Sequence, residues 1–196
     1  VGMPEITEGS KASAFDMATD GGGRVSLDGL KGQTVVLYFY PKADTPGCTT
    51  ENQDFSALAD DFAETGAVLV GVSRDPVRKL DRFKAKHELA VVLASDEDGA
   101  ACEAYGTWVE KTLYGRKYMG VERATFLIDS TGVIRRVWRG VKVTGHAAEV
   151  LADVLGVEQV SVDAHFFDEL GADSMVMARF CARVRKREGL PSVSIK

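Results

Sequence analysis

One cysteine, Cys48, lies where a buried strand is predicted to end and a helix to begin. The continuous apolar run over residues 35–40 is typical of a central strand, and apolar residues recur at helical spacing after Thr45. Cys48 therefore falls in the first turn of the helix. Unpaired backbone N–H groups and the positive end of the helix dipole favour a thiolate there. We predict that this sulfur acts as a nucleophile.

The residues just before Cys48 favour the same helix start. Thr45 is a good N-cap residue, and Pro46 suits the first helical position. Gly47 lets a ligand approach the backbone closely. We expect the site at the carboxyl-terminal edge of the sheet, where open α/β folds place their functional residues.

Strand patterns and helix patterns alternate along the chain, with an early hairpin and a late one. Predicted strands cover residues 15–18, 25–27, 35–40, 67–73, 91–94, 124–129 and 133–138. Predicted helices begin near Thr45 and Asp75, and two more cover residues 99–105 and 145–155. This alternation predicts an α/β sandwich with a central mixed sheet flanked by helices.

The motif Pro41-x-x-x-Thr45-x-x-Cys48 resembles the active-site signature of peroxiredoxins. Residues 35–55 are similar to the branch called peroxiredoxin Q, or bacterioferritin comigratory protein. The resemblance continues, in order, through GVSRD at 71–75, SDED at 95–98, YGTW at 105–108 and RATFLID at 123–129. It implies a thioredoxin-like fold, and we expect residues 1–155 to form a peroxiredoxin domain.

The same resemblance implies a thiol peroxidase, in which the Cys48 thiolate attacks a hydroperoxide and becomes a sulfenic acid. Thr45 would hydrogen-bond the sulfur and the peroxide, Pro41 would shield the sulfenate, and Arg123 would stabilise the thiolate and polarise the peroxide. The backbone N–H groups of Gly47 and Cys48 can hold the attacked oxygen. This chemistry requires neither a metal nor a cofactor.

Reduction of that sulfenic acid needs a second thiol. Many relatives place a resolving cysteine five residues after the first one or in the following helix, and the matching positions here are Gln53 and, approximately, Lys84. We therefore expect a one-cysteine mechanism with thioredoxin, glutaredoxin or a small thiol as the external reductant. Cys102 and Cys181 are the alternatives, although the patterns around both favour packing in the core.

The chain changes character after residue 155. Residues 156–173 contain five acidic residues and no Lys or Arg, whereas residues 174–196 contain six basic residues and one acidic residue. The tail resembles carrier-protein domains of non-ribosomal peptide and polyketide assembly lines, in which the serine of Gly-x-Asp-Ser bears phosphopantetheine. Ser174 is the matching position. Because the match stops before that family's last two helices, we expect a helical appendage resembling a truncated carrier domain over residues 156–196.

Two other functions compete with the peroxidase. In the first, the chain is a peroxiredoxin-fold module that its tail tethers to an assembly line through phosphopantetheine on Ser174. The second is a thioredoxin-type disulfide oxidoreductase. That chemistry needs a second cysteine shortly after the nucleophile, and the run Thr49-Thr50-Glu51 follows Cys48 instead. The second alternative is therefore disfavoured.

Composition limits the remaining possibilities. The chain has 196 residues, of which 45% are hydrophobic and 27% charged, as in a soluble globular protein. A net charge of −5 argues against general nucleic-acid binding, and no apolar run approaches the ~20 residues that span a membrane. No secretory signal is recognised, and three widely spaced cysteines favour a reducing cytoplasm. An apolar stripe in the tail, at Met175, Val176 and Phe180, predicts a homodimer through the tail.

Overall fold

The structure, a computed structural model, describes residues 5–156. Its strands are β1 (Asp16–Thr19), β2 (Arg24–Ser26), β3 (Thr34–Phe39), β4 (Ala67–Ser73), β5 (Val92–Ser95), β6 (Trp108–Leu113), β7 (Arg116–Val121), β8 (Ala124–Ile128) and β9 (Ile134–Trp138). Its α-helices are α1 (Pro46–Ala57), α2 (Ala59–Glu64), α3 (Val77–His87), α4 (Ala100–Ala104) and α5 (His146–Val154). Every predicted strand and helix within this range is present, with small shifts at the ends.

Seven strands form one mixed sheet in the order β2-β1-β5-β4-β3-β8-β9. The central strand β3 pairs parallel with β4 and antiparallel with β8. Strand β4 pairs parallel with β5, and β8 pairs antiparallel with β9. The sheet is therefore mixed, as the alternation of elements predicted.

Helices cover both faces of this sheet, because alternate residues of each strand point to opposite sides. Val36 and Tyr38 of β3 belong to the core under α1, α2, α3 and α5. Leu37 and Phe39 belong to the other core, under α4 and the amino-terminal segment. Cys48 lies in the first core and Cys102 lies in the second. The sheet thus separates these two thiols.

The hairpin formed by β6 and β7 was not predicted. It pairs only with itself, and most of its side chains are exposed, so it lacks the apolar alternation that marks a half-buried strand. Tyr114 and Gly115 form its turn with φ values of 50° and 74°. A two-residue turn with both φ values positive matches the twist of an antiparallel pair. Leu113 and Tyr114 at this tip are 55% and 96% exposed.

The predictions for the tail fall on residues beyond 156, outside the described range. These are the appendage over 156–196, the attachment position Ser174, the thiol of Cys181 and the predicted dimer. Within residues 5–156, no helix is long and apolar enough to cross a bilayer.

Candidate active site

Cys48 is the third residue of α1, which begins at Pro46, and it is 2% exposed. It therefore lies in the first helical turn, as predicted, and close to the positive end of the helix dipole. Gly47 beside it serves a steric purpose, because a Cβ at this position would lie 3.3 Å from Nη2 of Arg123. A side chain there would crowd the arginine.

Arg123 reaches the Cys48 sulfur from the neighbouring strand. It directly precedes β8, and the register that pairs Phe39 with Ala124 brings it to the end of β3, next to the start of α1. Its Nη2 donates to Cys48 Sγ at 3.4 Å, and its Nη1 donates to Glu51 Oε1 at 3.1 Å. Burial opposes the charge on Arg123, but Glu51 and Cys48 together hold its pKa above the ordinary value.

Glu51 is the site residue that the sequence reasoning missed. It follows Cys48 by three residues, so both side chains lie on the same face of α1. It is 1% exposed, and its second carboxylate oxygen, Oε2, has no hydrogen-bond partner among the described residues. Burial raises the pKa of Glu51 to about 7, against the opposing attraction of Arg123. The spacing of three residues from Cys48 is the sequence signal that could have identified Glu51.

A buried chain of hydrogen bonds fixes the turn that carries Cys48. The amide of Asn52 donates through Nδ2 to the Cys48 carbonyl oxygen at 2.9 Å, and the Tyr38 hydroxyl donates to Asn52 Oδ1 at 2.7 Å. Both Tyr38 and Asn52 are fully buried. The Tyr38 ring also stacks on Phe55, with centroids 4.3 Å apart. Strand β3 therefore positions α1 directly through polar and aromatic contacts.

The loop between β3 and α1 is anchored on both sides of the site. Thr45 has the extended backbone of an N-cap residue, but its side chain makes no capping hydrogen bond. Its hydroxyl donates instead to the Lys42 carbonyl oxygen at 2.7 Å, which leaves its oxygen free to accept. The Ala43 N–H donates to Asp75 Oδ2 at 2.7 Å. Pro41 is half-buried at the edge of a neighbouring groove.

This groove encloses about 500 Å³ between the active-site loop and the β6–β7 hairpin. Among its lining residues are Pro41, Lys42, Arg74, Trp108, Lys111 and Met119. Burial lowers the pKa of Lys111, and the nearby Arg123 charge lowers it further. Lys111 is thus a second cation beside the thiol, and the sequence reasoning did not identify it because the hairpin was not predicted.

Cys102 lies in the core on the opposite face of the sheet, as its apolar surroundings predicted, and it is fully buried. Asp96 accepts the N–H groups of Ala101 and Cys102 at 2.9 and 2.7 Å. Burial, reinforced by Asp96, raises the pKa of the Cys102 thiol to about 12. This thiol is therefore both remote from Cys48 and resistant to ionisation.

The two positions at which relatives hold a resolving cysteine serve other purposes here. Gln53 is exposed on α1. Lys84, on α3, forms an ion pair with Asp20 at 2.8 Å. Among the described residues, Cys48 and Cys102 are the free cysteines.

Comparison with known proteins agrees with this geometry. Residues 9–137 match the model of the AhpC/TSA family, and residues 147–191 match the model of the phosphopantetheine attachment site. A putative peroxiredoxin named bcp from Coxiella burnetii is 50% identical over 146 residues, which cover 74% of this chain and 97% of that protein.

Solved structures show the same relationship. Peroxiredoxin Q of Xanthomonas campestris has a TM-score of 0.70 and 45% identity, and the match covers 72% of this chain and 90% of that chain. A structure that concerns the alkyl peroxide reduction activity of the Xanthomonas campestris bacterioferritin comigratory protein has the same TM-score, 44% identity and the same coverage. The expected thioredoxin-like fold is confirmed.

A cysteine thiol that accepts a hydrogen bond from an arginine, on a thioredoxin-like fold, is characteristic of the thiol-dependent peroxidases. The chain is a member of the AhpC/TSA family of peroxiredoxins, in the branch of bacterioferritin comigratory protein, or peroxiredoxin Q. The match to the phosphopantetheine attachment site supports the carrier-like character of its tail.

Proposed function

We propose that Cys48 reduces hydrogen peroxide and organic hydroperoxides through a sulfenic acid, and that a thiol other than Cys102 then reduces this acid. The observation that carries the proposal is the 3.4 Å hydrogen bond from Arg123 to the Cys48 sulfur, within a site that Glu51 completes. The alkyl peroxide reduction activity of the Xanthomonas relative supports the substrate class.

In the first step, Cys48 Sγ attacks the terminal oxygen of the hydroperoxide and the O–O bond breaks. Water or an alcohol leaves after its oxygen takes up a proton, and the sulfur becomes a sulfenic acid. Full ionisation of a free thiol gains only about 30-fold at pH 7, whereas enzymes supply about 10⁶-fold or more. Most of the acceleration must therefore come from donors that stabilise charge on the breaking bond. Arg123 donates a hydrogen bond to the sulfur, and Thr45 and Pro41 complete the proposed pocket.

The second step requires a thiol that reaches the Cys48 face of the sheet. Cys102 is buried on the other face, and Gln53 and Lys84 occupy the positions of resolving cysteines. We therefore propose a one-cysteine mechanism, with thioredoxin, glutaredoxin or a small thiol as the reductant; Cys181, outside the described residues, is the alternative. A reducing compartment such as the cytoplasm would supply these thiols.

Intact-mass measurement tests this proposal. After one equivalent of hydrogen peroxide, the full chain without modification on Ser174 is expected to gain one oxygen, which dimedone traps at Cys48. Cys102→Ala is expected to behave identically, because its thiol lies across the sheet, while Cys48→Ser is expected to gain nothing and to turn over no peroxide. A loss of two hydrogens, with a Cys48–Cys102 or Cys48–Cys181 peptide, would show an internal disulfide instead.

The match over residues 147–191 favours a second function for the tail. We propose that residues 156–196 form a carrier-like unit after a peroxiredoxin domain over 1–155, with phosphopantetheine on Ser174 and docking to a biosynthetic assembly line. Ser174 lies outside the described residues, so the proposal stands on the motif and the family match.

Coexpression with a phosphopantetheinyl transferase tests the carrier-like unit. The chain is expected to gain the mass of one phosphopantetheine group, and Ser174→Ala is expected to gain none because it removes the accepting hydroxyl. Modification that persists in Ser174→Ala would place the group elsewhere, and no gain in the wild-type chain would contradict a carrier function.

A further inference from the structure

The sulfenic acid of Cys48 needs a thiol that approaches from its own side of the sheet. Within residues 5–156, the other thiol is Cys102, which is fully buried in the opposite core. The tail matches a family whose prosthetic group ends in a thiol. A phosphopantetheine group on Ser174 would therefore add to this chain the thiol that its described cysteines do not provide.

The groove beside the active site suits such a group. Phosphopantetheine consists of a phosphodiester, a branched apolar segment with amides, and a terminal thiol. Lys42 and Arg74 contribute positive charge to the groove, and lysine and arginine are the usual partners of phosphate. Trp108 and Met119 contribute apolar surface, and the Arg74 guanidinium lies 4.4 Å from the centre of the Trp108 ring.

The groove also lies next to the thiol. It shares Pro41 with the active-site loop, and Lys111 on its wall interacts electrostatically with both Cys48 and Arg123. Its acidic lining residues are Asp75, which pairs with Lys79 at 2.7 Å, and Glu97. The balance of charge therefore favours an anionic group.

We propose that a phosphopantetheine arm on Ser174 occupies this groove and that its thiol reduces the Cys48 sulfenic acid. The inference deepens the proposed function and rests on it. The 18 residues from 157 to 174 span at most about 60 Å, which exceeds the roughly 40 Å diameter of a domain of this size. Chain length therefore permits the arm to reach the groove.

The proposed step balances without a further oxidant. The arm's sulfur attacks the Cys48 sulfur, an S–S bond forms, and the S–O bond breaks. The hydroxyl group leaves as water with the proton of the thiol. Cys48 is reduced and the arm's sulfur is oxidised, so that a mixed disulfide joins them. A dithiol, either a small molecule or a reductant protein, then releases both sulfurs in two successive thiol–disulfide exchanges and is itself oxidised to a disulfide.

The test compares the full chain with and without phosphopantetheine on Ser174. Each form receives one equivalent of hydrogen peroxide, and dimedone then traps the remaining sulfenic acid at successive times. Because a tethered thiol acts at an effective concentration of about 1 mM, the loaded chain is expected to lose its sulfenic acid about tenfold faster than the unloaded chain with about 0.1 mM free pantetheine. Peptide mapping is expected to find the arm disulfide-bonded to Cys48.

A charge-reversal pair tests the groove itself. Lys42→Glu in the loaded chain is expected to slow disulfide formation about fivefold, since it replaces attraction for the phosphate by repulsion. Lys117→Glu is the matched control, because Lys117 lies on the exposed hairpin outside this groove and pairs with Glu110 at 3.7 Å. Equal slowing by both substitutions would contradict binding in the groove.

The remaining outcomes separate this inference from the peroxidase proposal. A loaded chain whose sulfenic acid persists as long as in the unloaded chain overturns the inference, and so does a chain that cannot be loaded. A Cys48–Cys181 disulfide in the loaded chain overturns it as well. In each of these cases, consumption of hydrogen peroxide by Cys48 in the unloaded chain still reports the first step, and only an unloaded chain that consumes no peroxide contradicts the peroxidase function.

Discussion

Arg123→Ala is expected to slow the reaction of Cys48 with hydrogen peroxide by about 10²–10³-fold, the usual effect of removing a donor that stabilises transition-state charge. The guanidinium donates to the sulfur at 3.4 Å and lies in a site where the flanking Glu51 is 1% exposed. Low exposure strengthens its interaction with charge that develops on the peroxide. Stopped-flow measurement of the second-order rate constant with excess peroxide gives the result directly.

The pH dependence of this variant separates two roles of the arginine. If Arg123 mainly stabilises the transition state, the deficit is expected to persist at alkaline pH, where thiols ionise without help. A deficit that vanished there would assign Arg123 to ionisation alone. Arg135→Ala is the matched control, since its side chain is 67% exposed on β9 and pairs with Asp129 at 3.6 Å. It is expected to react at the wild-type rate.

Glu51→Gln is expected to remove a pH-dependent loss of stability. Burial raises the pKa of folded Glu51 to about 7 from an ordinary value of 4.5. Between these values the folded protein holds a proton that the unfolded chain has released, so the free energy of unfolding falls as pH rises through this window. A shift of this size corresponds to about 3 kcal/mol. Glutamine keeps an acceptor for Arg123 and does not titrate.

Denaturant unfolding of both proteins from pH 4 to pH 8 measures this effect. His146 titrates in an overlapping window with the opposite sign, because burial lowers its pKa to about 4 and its contribution is lost as pH falls. The difference between wild type and Glu51→Gln therefore isolates Glu51. Glu103→Gln, on the exposed side of α4, is expected to leave the curve unchanged. A pH-independent difference between wild type and Glu51→Gln would show that Glu51 titrates normally.

Local rules explain why part of the site could be predicted from the sequence. The position of Cys48 follows from the strand pattern before it and from Pro46, which starts the helix. Glu51 follows from helical spacing, once Arg123 is known to contact Cys48. Arg123 itself is 75 residues away, and only the β3–β8 register brings it to the sulfur. Residue patterns alone do not encode such a pairing, so the resemblance to a family supplied it.

The difference between local patterns and long-range contacts also explains which part of the fold was not predicted. The β6–β7 hairpin carries few buried residues, so its strands show no alternation of apolar and polar residues. Because the hairpin was not predicted, Lys111 and the wall of the groove that the hairpin forms were not predicted either. The capping bond of Thr45 failed for a different reason. Its hydroxyl is oriented by the hydrogen bond that it donates to the nearby Lys42 carbonyl oxygen, and in this orientation its oxygen accepts no backbone N–H of α1.

Helix α5 has a consequence for how this architecture can be recombined. Residues 147–154 of this helix lie within the match to the carrier family, yet Val150 and Leu151 are part of the same core as Cys48. Its His146 contacts Phe55 edge to face, with centroids 6.0 Å apart. A cut before α5 would thus open the peroxidase core, and a cut after it would remove the first segment of the carrier match. The core around Cys48 and the carrier match share this helix, so an exchange of either segment between proteins would have to keep α5.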